Sequence, residues 1–373
     1  MKISRVVIES FKGIKGPLEI DFTGPDGQPR PLTCLLGDNG SGKTTVLQAI
    51  ALTLGLAMKK FDAPGEFLWP GFLPGRIASF GKPRCELAGP LNEEEVALAS
   101  ALASRHALMF NDSYRNAGLP EDSIAVGEFV GWFEIGWIGG TLRVRNTVGT
   151  RHPLLARHYR SELAKVEPST RFSGRLGDVI WFDQNRNIAN TSADSAANGN
   201  GSEHPGRGWM EGVGELRKAL VYDWLEHLSP RAADKSATFI GRLQAAMNTV
   251  FPGLEFYDAG RRLGTTGSSG DDVQVLFRRG ERIFEIAEMS SGEQAVFPLM
   301  YEFVRQDIHN SVVLIDELEL HLHPPQQQAL LAAVRTLARE RDCQFIITTH
   351  SDDVAGGIPE EHIFRMPGGR SCL

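Results

Sequence analysis

One short segment constrains the fold of this chain more than any other. Residues 37–45 read Gly-Asp-Asn-Gly-Ser-Gly-Lys-Thr-Thr, with glycines, a lysine and a threonine at the spacing of a phosphate-binding loop. The apolar run 32–36 precedes this segment, and residues 46–54 place apolar side chains at helical spacing after it. A glycine-rich loop between a strand and a helix presents backbone N–H groups and a helix N-terminus to an anion. The segment therefore predicts an α/β fold built around a nucleotide-binding loop.

Two side chains of this loop have predicted tasks. Lys43 would reach the β- and γ-phosphates of ATP, and the Thr44 hydroxyl would bind Mg²⁺. The alternative interpretation is a glycine-rich turn without a ligand. The strand before the loop and the helix after it disfavour that alternative, because both are the context that a phosphate-binding loop requires.

A second segment pairs an apolar strand with two carboxylates. Residues 312–315 are Val-Val-Leu-Ile, and Asp316 and Glu317 follow them. A wholly apolar strand is typical of a parallel sheet that is covered on both faces. A carboxylate at its end would lie at the edge of the sheet, where Asp316 can hold Mg²⁺ or its waters and Glu317 can act as general base. This pattern is weak alone, but together with the loop at 37–45 it indicates a nucleotide hydrolase.

Two further segments decide the subclass. Ser-Ser-Gly-Glu-Gln occupies residues 290–294, and Thr-Thr-His-Ser occupies residues 348–351. With these in place the chain resembles the ABC-type ATPases, and within them the RecF/SMC/OLD-like branch that is often described as AAA-type ATP-binding proteins. Residues 290–294 resemble its signature motif, residues 316–324 its Walker B and D-loop, and His350 its switch histidine. Residues 8–14 resemble the strand-turn-strand that flanks the nucleotide base.

The resemblance covers about residues 1–58 and 270–366. It implies a P-loop NTPase of the α/β class, an ABC-ATPase-like head with a mainly parallel sheet, an antiparallel β portion and an inserted helical subdomain. Residues 1–58 and 270–373 would form the two parts of the core. Residues 59–269 would form a lateral subdomain with a β-hairpin, helices and a flexible loop at 191–208. The chain is expected to stand alone, without SMC-like coiled-coil arms or the TOPRIM nuclease domain of OLD proteins.

The resemblance also implies a homodimer in which two subunits sandwich two ATP molecules. Lys43 and the backbone amides of the loop would hold the phosphates, while the signature serine and glycine of the partner subunit close over the γ-phosphate. Hydrolysis would loosen the dimer, so that ATP acts as a switch. The implied nucleotide-binding residues are Lys12, Asn39, Gly40, Ser41, Gly42, Lys43, Thr44, Thr45, Ser291, Gly292 and Glu293.

Catalytic and metal-binding roles follow from the same resemblance. The implied catalytic residues are Lys43, Glu317 and His350, of which His350 would hydrogen-bond the γ-phosphate and help to orient the attacking water. The implied Mg²⁺ ligands are Thr44, Asp316 and Gln184. Gln184 follows an apolar strand as a Q-loop glutamine would, and an ordinary loop glutamine is an equally good interpretation of it.

The predicted function is an ATPase switch that controls a separately encoded effector or acts on DNA, in anti-phage defence or DNA repair. One alternative is a repair ATPase that binds DNA directly through the basic segment 143–175, although a solvated face explains that segment at least as well. A transporter subunit is a second alternative, which residues 316–324 disfavour. A P-loop kinase for small molecules would explain residues 37–45 but neither Ser291 nor His350.

Composition excludes several classes of protein. The chain has 373 residues and a formal net charge of −7, which argues against indiscriminate nucleic-acid binding. It contains no run of about 18 apolar residues, so no membrane span is predicted. Its 4 cysteines form no CxxC pair, which favours a reducing cytoplasm over a disulfide framework or a zinc site. His321 and His323 lack a nearby third ligand, so a metal site there is disfavoured.

Overall fold

The structure is a computed structural model that describes residues 1–110, 131–145, 152–166, 175–184, 209–230, 234–261 and 273–367. The flexible loop predicted at 191–208 lies outside these residues. The strands are β1 (Arg5–Glu9), β2 (Leu18–Asp21), β3 (Leu32–Leu36), β4 (Arg84–Pro90), β5 (Trp132–Ile138), β6 (Thr141–Arg145), β7 (Val179–Phe182), β8 (Leu254–Arg261), β9 (Val273–Arg279), β10 (Arg282–Glu285), β11 (Val312–Ile315), β12 (Gln344–Thr349) and β13 (Ile363–Arg365). The helices are α1 (Lys43–Ala57), α2 (Glu93–Phe110), α3 (Ala156–Val166), α4 (Trp209–Leu228), α5 (Phe239–Val250), α6 (Ser291–Arg305), α7 (Pro324–Glu340) and α8 (Asp352–Gly356).

A five-stranded parallel sheet lies at the centre, in the order β13-β3-β12-β11-β7. Its side chains alternate between two apolar cores. Val312 and Leu314 of β11 belong to one core, while Val313 and Ile315 belong to the other. Burial on both faces explains why β11 is wholly apolar and why residues 345–347 in the middle of β12 are apolar as well. The α/β fold with a mainly parallel sheet is therefore confirmed.

Helix α1 lies between this parallel sheet and a second, antiparallel sheet. The second sheet has the order β2-β1-β4-β5-β6 and packs on α1 through β1, β4, β5 and β6. On its other side α1 packs on β7, β11 and β12. A helix covered from both sides can be apolar all round, and every residue from Val46 to Ala57 is buried. This double cover fixes the position of the loop that precedes α1.

The opposite face of the parallel sheet carries helices α4 to α7 and a three-stranded antiparallel sheet, β10-β9-β8. Apolar side chains of α6, such as Val296 and Phe297, belong to this second core. Helices α1 and α6 thus pack on opposite faces of the same sheet. The division into 1–58, 59–269 and 270–373 stays a prediction, although β4, β5 and β6 from the middle segment complete the sheet that β1 and β2 begin.

A small third core joins α2 and α3. Glu95 of α2 is buried at its edge, where its carboxylate contacts the amino group of Met1 at 2.5 Å and pairs with Arg157. It also accepts the backbone N–H of Gly177 at 3.2 Å. This one carboxylate therefore joins three segments that are distant in sequence. None of the helices in the described part of the chain has the length and apolar character needed to cross a bilayer.

Candidate functional site

The phosphate-binding loop connects β3 to α1 through two glycines in the left-handed region. Gly40 has φ +81° and Gly42 has φ +94°, conformations that residues with a Cβ atom rarely adopt. A Cβ atom on Gly37 would lie only 2.8 Å from Ser41 Oγ. The glycine spacing therefore reflects the tight path of the backbone, which turns into α1 at Lys43.

Lys43 lies at the first position of α1 and is 6% exposed. Its Nζ atom donates to the carbonyl oxygens of Gly37 at 2.6 Å and Asp38 at 3.0 Å. The ammonium is thus held over the loop by neutral acceptors. A phosphate oxygen is a charge-assisted acceptor and forms a stronger hydrogen bond than a carbonyl, so this lysine fits an anionic ligand.

Asp316 connects the loop to the adjoining strands. It follows β11, and its carboxylate oxygens accept from the Thr44 hydroxyl at 2.9 and 3.0 Å and from the Thr348 hydroxyl at 2.7 Å. Burial raises the pKa of Asp316, the two threonine hydroxyls lower it in part, and the carboxylates of Glu317 and Asp183 raise it further. The structure thus brings the predicted metal ligands Thr44 and Asp316 into direct contact.

These oxygens fit a magnesium ion. Mg²⁺ prefers hydroxyl, carboxylate, phosphate and water oxygens, and a buried carboxylate gains most from a cation because burial penalises its charge. Among the described residues, no group of three or more His, Cys, Asp or Glu side chains is arranged to hold a metal alone. Thr44 and Asp316 would therefore hold Mg²⁺ together with the phosphates of a nucleotide.

Asp183 is a residue that the sequence analysis missed. Ile315 pairs with Phe182 in register, so Asp183 and Asp316 leave neighbouring parallel strands side by side, and both are buried. The predicted ligand Gln184 follows in an exposed turn, and its role stays a prediction. The register of β7 on β11, in which residues 179 and 181 pair with 312 and 314, brings Asp183 to the site, and a local sequence pattern does not reveal that register.

Glu317 has an unusual backbone. Its φ is +48°, in the left-handed region that favours glycine, and its N–H donates to Thr348 Oγ1 at 2.8 Å. Backbone strain in a residue other than glycine is common at functional sites, where the surrounding structure imposes it. The strained turn places Glu317 directly beside Asp316, as a predicted general base requires.

His350 follows β12, the neighbour of β11, and its side chain is 45% exposed. Its backbone N–H donates to Glu319 Oε1 at 2.8 Å, and its Nδ1 atom lies 2.9 Å from the same oxygen. Glu319 belongs to the predicted D-loop and is 6% exposed. The sequence analysis assigned no role to Glu319.

The signature segment begins α6. Ser290 caps the helix, and Ser291 is exposed at its first position. Glu293 accepts from the backbone N–H of Ser290 at 2.7 Å and from its hydroxyl at 2.8 Å, and it pairs with Arg279. The carboxylate that was predicted to bind nucleotide is thus engaged within its own subunit, and its nucleotide contact stays a prediction. A Cβ atom on Gly292 would lie 3.2 Å from the carbonyl oxygen of His321, so the signature and the D-loop pack closely.

Lys12 lies in a turn that packs on the loop. The Ile14 side chain in the same turn comes within 3.7 Å of a Cβ atom built on Gly42. Lys12 Nζ donates to Gln48 Oε1 at 2.6 Å and to the Gly71 carbonyl at 3.3 Å, beside a cavity of about 210 Å³. Burial and then the charge of Arg76 lower the pKa of Lys12. Its predicted nucleotide contact remains a prediction.

The basic segment 143–175 has few unpaired positive side chains among those that the structure describes. Arg151 and Arg171 lie outside the described residues. Most of the others pair with carboxylates, namely Arg145 with Glu134, Arg157 with Glu95, Lys165 with Glu162 and Arg175 with Asp307. These pairs favour structural and surface roles for the segment over a nucleic-acid footprint.

Comparisons with known proteins agree with this site. A family model described as "AAA domain, putative AbiEii toxin, Type IV TA system" matches residues 219–355, and a second, described as "AAA domain", matches residues 5–69. The two matched ranges contain the loop, the signature, the β11 carboxylates and His350. These matches support an ABC/AAA ATPase of the RecF/SMC/OLD-like type.

The chain matches parts of several curated proteins. It is 32% identical to the Retron Ec83 probable ATPase of Escherichia coli over 109 residues, 26% of this chain and 20% of that protein. It is 42% identical to the Septu protein PtuA of Bacillus mycoides over 82 residues, 20% of this chain and 11% of that protein. It is 23% identical to the OLD nuclease of Thermus scotoductus over 358 residues, 94% of this chain and 59% of that protein. The ATPase thus spans less than two thirds of each of these relatives.

A solved structure shows the same fold. The SmcHead bound to the C-winged helix domain of ScpA matches 98% of the ATPase and 94% of its own chain, with 15% identity and a TM-score of 0.52. At this identity the similarity concerns the fold alone. It confirms the P-loop NTPase architecture described above.

Proposed function

We propose that this ATPase hydrolyses ATP between two subunits and uses the cycle to switch a separate effector protein. The observation that carries the proposal is the contact of Thr44 and Thr348 with Asp316. It joins the phosphate-binding loop, β11 and β12 in one place. These three elements supply the lysine, the carboxylates and the histidine that phosphoryl transfer to water requires.

Each residue has a task in this proposal. Lys43 and the loop amides hold the phosphates, and Thr44 and Asp316 hold Mg²⁺, which neutralises charge on the phosphate oxygens when bound. Glu317 accepts a proton from the attacking water. His350 lies on the neighbouring strand end, from which it orients the terminal phosphate and the water.

The arrangement of the two cores supports a dimer. Lys43 begins α1 on one face of the parallel sheet, whereas Ser291 begins α6, which packs on the other face. A signature serine that is exposed at a helix N-terminus can bind an anion, such as a phosphate group held by a second subunit. ATP would then be held by the loop of one subunit and by Ser291 and Gly292 of the partner subunit.

The relatives support a role with an effector. Two of them are a probable retron ATPase and a Septu protein. We propose that this chain likewise acts in anti-phage defence or DNA repair, and that dimer closure and opening control a separately encoded effector. ATP turnover measured with and without duplex DNA distinguishes control by a protein partner from direct action on DNA.

Glu317→Gln tests both the base and the dimer. The amide cannot take the proton, so we expect hydrolysis to slow by roughly 10²–10⁴ while ATP binding persists. The variant should therefore accumulate an ATP-bound dimer, measured by light scattering after size exclusion. Glu340→Gln, an exposed change at the end of α7, is the matched control. A Glu317→Gln protein that hydrolyses ATP normally and stays monomeric with ATP would reject the proposal.

A further inference from the structure

The contact between Glu319 and His350 determines which ring nitrogen of the histidine carries the proton. Glu319 Oε1 accepts the His350 backbone N–H at 2.8 Å and lies 2.9 Å from His350 Nδ1. A carboxylate oxygen and an unprotonated ring nitrogen are both acceptors and would repel each other at this distance. Nδ1 therefore carries a proton and donates it to Glu319, which leaves Nε2 as the ring nitrogen for a ligand.

A purely stabilising role does not explain Glu319. Its second oxygen, Oε2, is buried and has no hydrogen-bond partner among the described residues. A buried carboxylate that is only half satisfied costs free energy of folding, and such groups in native proteins call for an explanation. The nearby Cys34 thiol also shows that the surroundings are poorly solvated, because burial and then the charge of Glu319 raise the pKa of Cys34 to about 12.

The backbone of Glu319 is held firmly. The Glu319 carbonyl accepts the N–H of Leu322 at 3.0 Å, and the Leu322 side chain lies within 3.2 Å of a Cβ atom built on Gly292. The D-loop turn is thus packed against the first turn of α6. A carboxylate on such a fixed turn can orient a neighbouring side chain without reorganisation.

We propose that Glu319 is a positioning residue that holds His350 with its proton on Nδ1, so that Nε2 is left as a hydrogen-bond acceptor for the attacking water beside the terminal phosphate of bound ATP. The role of Nε2 rests on the proposed function. The orientation of the ring is a property of the protein without nucleotide, and it is tested separately.

The first experiment reads the tautomer directly. Long-range ¹H–¹⁵N spectra of the full chain with ¹⁵N-labelled histidine, recorded at pH about 8, should show His350 protonated on Nδ1. A His350→Gln spectrum assigns the signals. Glu319→Ala should remove this preference, whereas Glu319→Gln should keep it, because the amide oxygen still accepts from Nδ1–H. A His350 proton on Nε2 in the unchanged protein, or an unaltered tautomer in Glu319→Ala, overturns the proposal.

The second experiment measures ATP turnover. Glu319→Ala should lower kcat by about 10-fold to 100-fold with little change in KM, the usual effect of removing a carboxylate that orients an imidazole. In the His350→Ala background the same change should have no further effect, because both act through one side chain. A further loss in the double variant contradicts positioning. If His350→Ala alone hydrolyses ATP normally, the proposed function of His350 fails, while the tautomer result still decides the role of Glu319.

Discussion

At the scale of single residues, the site is a set of charges whose hydrogen-bond partners are neutral groups. Lys43 Nζ donates hydrogen bonds to two carbonyl oxygens, and the buried Asp316 carboxylate accepts them from hydroxyl groups. Among the described residues, neither charge forms a salt bridge with an opposite charge. Binding of a polyanion together with a divalent cation would supply both counter-charges at once. Nucleotide and Mg²⁺ are therefore expected to bind cooperatively.

Lys43→Ala should remove productive ATP binding. The change deletes the ammonium that would face the β- and γ-phosphates, and a charge-assisted hydrogen bond is worth about 1.5–3 kcal/mol, or roughly 10-fold to 100-fold in affinity. Titration calorimetry with ATP and Mg²⁺ measures the loss. Lys59→Ala, which removes an exposed lysine that pairs with Asp62, is the control and should bind as before. Unchanged ATP turnover in Lys43→Ala would reject the assignment of the loop.

At the scale of elements, the start of α6 depends on one glutamate. Glu293 completes a capping box with Ser290 and pairs with Arg279 of β9. Its carboxylate therefore joins the signature helix to the three-stranded sheet. A glutamate in the signature is thus explained by the structure of the helix start.

Glu293→Ala should destabilise the protein by about 1–2 kcal/mol, because it removes the box and the acceptor of the Ser290 N–H. Glu293→Gln should cost less. Glutamine also completes a capping box, and the lost ion pair with the part-exposed Arg279 contributes little. Thermal denaturation of the two variants measures the difference. Equal losses in both variants would show that the ion pair, rather than the box, stabilises the start of α6.

A buried histidine next to helix α3 makes the stability of the protein sensitive to acid. His152 lies just before it and is 5% exposed, and burial, followed by the charge of Arg157, lowers its pKa to about 4 from 6.5. The unfolded chain therefore binds a proton between these values and the folded chain does not. Stability is lost as the pH falls from 6.5 towards 4, by up to about 3 kcal/mol.

His152→Leu should flatten this acid profile, because leucine takes no proton in either state. Melting temperatures between neutral pH and pH about 4.5 measure the effect, and the unchanged protein should lose more stability across this range than the variant. His323→Leu, on an exposed helix start, is the control and should leave the profile as it was. Parallel profiles for His152→Leu and the unchanged protein would exclude His152 as the source.

At the scale of the whole molecule, the proposed dimer would place the two halves of each ATP site on different subunits. Lys43→Ala damages the site through its own loop, whereas Ser291→Arg damages the site of the partner. A mixed dimer then holds one site with both defects and one site with neither. An equal mixture of the two inactive variants should therefore regain about a quarter of normal ATP turnover. A mixture that stays inactive would argue against the shared site.

The sequence predicted the parts of this molecule that depend on neighbouring residues. The loop at 37–45, β11 and the approach of Asp316 to Thr44 follow from local patterns and from the way parallel strands end at one edge. Asp183 and Glu319 were missed because their positions depend on strand register and on a turn, neither of which a local pattern reveals. The capping box of Ser290 and Glu293 could be predicted from the spacing of the two residues, but the family resemblance implied a nucleotide-binding role for Glu293 instead.

The double cover of α1 also governs how the protein is made. Residues 43–57 leave the ribosome early, but β11 and β12, against which this helix packs, are translated more than 250 residues later. At 5–20 residues per second this wait lasts roughly 10–50 s, during which an apolar helix lacks half of its cover. The nascent chain therefore exposes apolar surface of α1 over that interval, which favours aggregation unless a chaperone covers it. An ATP site also cannot assemble on a truncated product, since the carboxylate and the histidine arrive last.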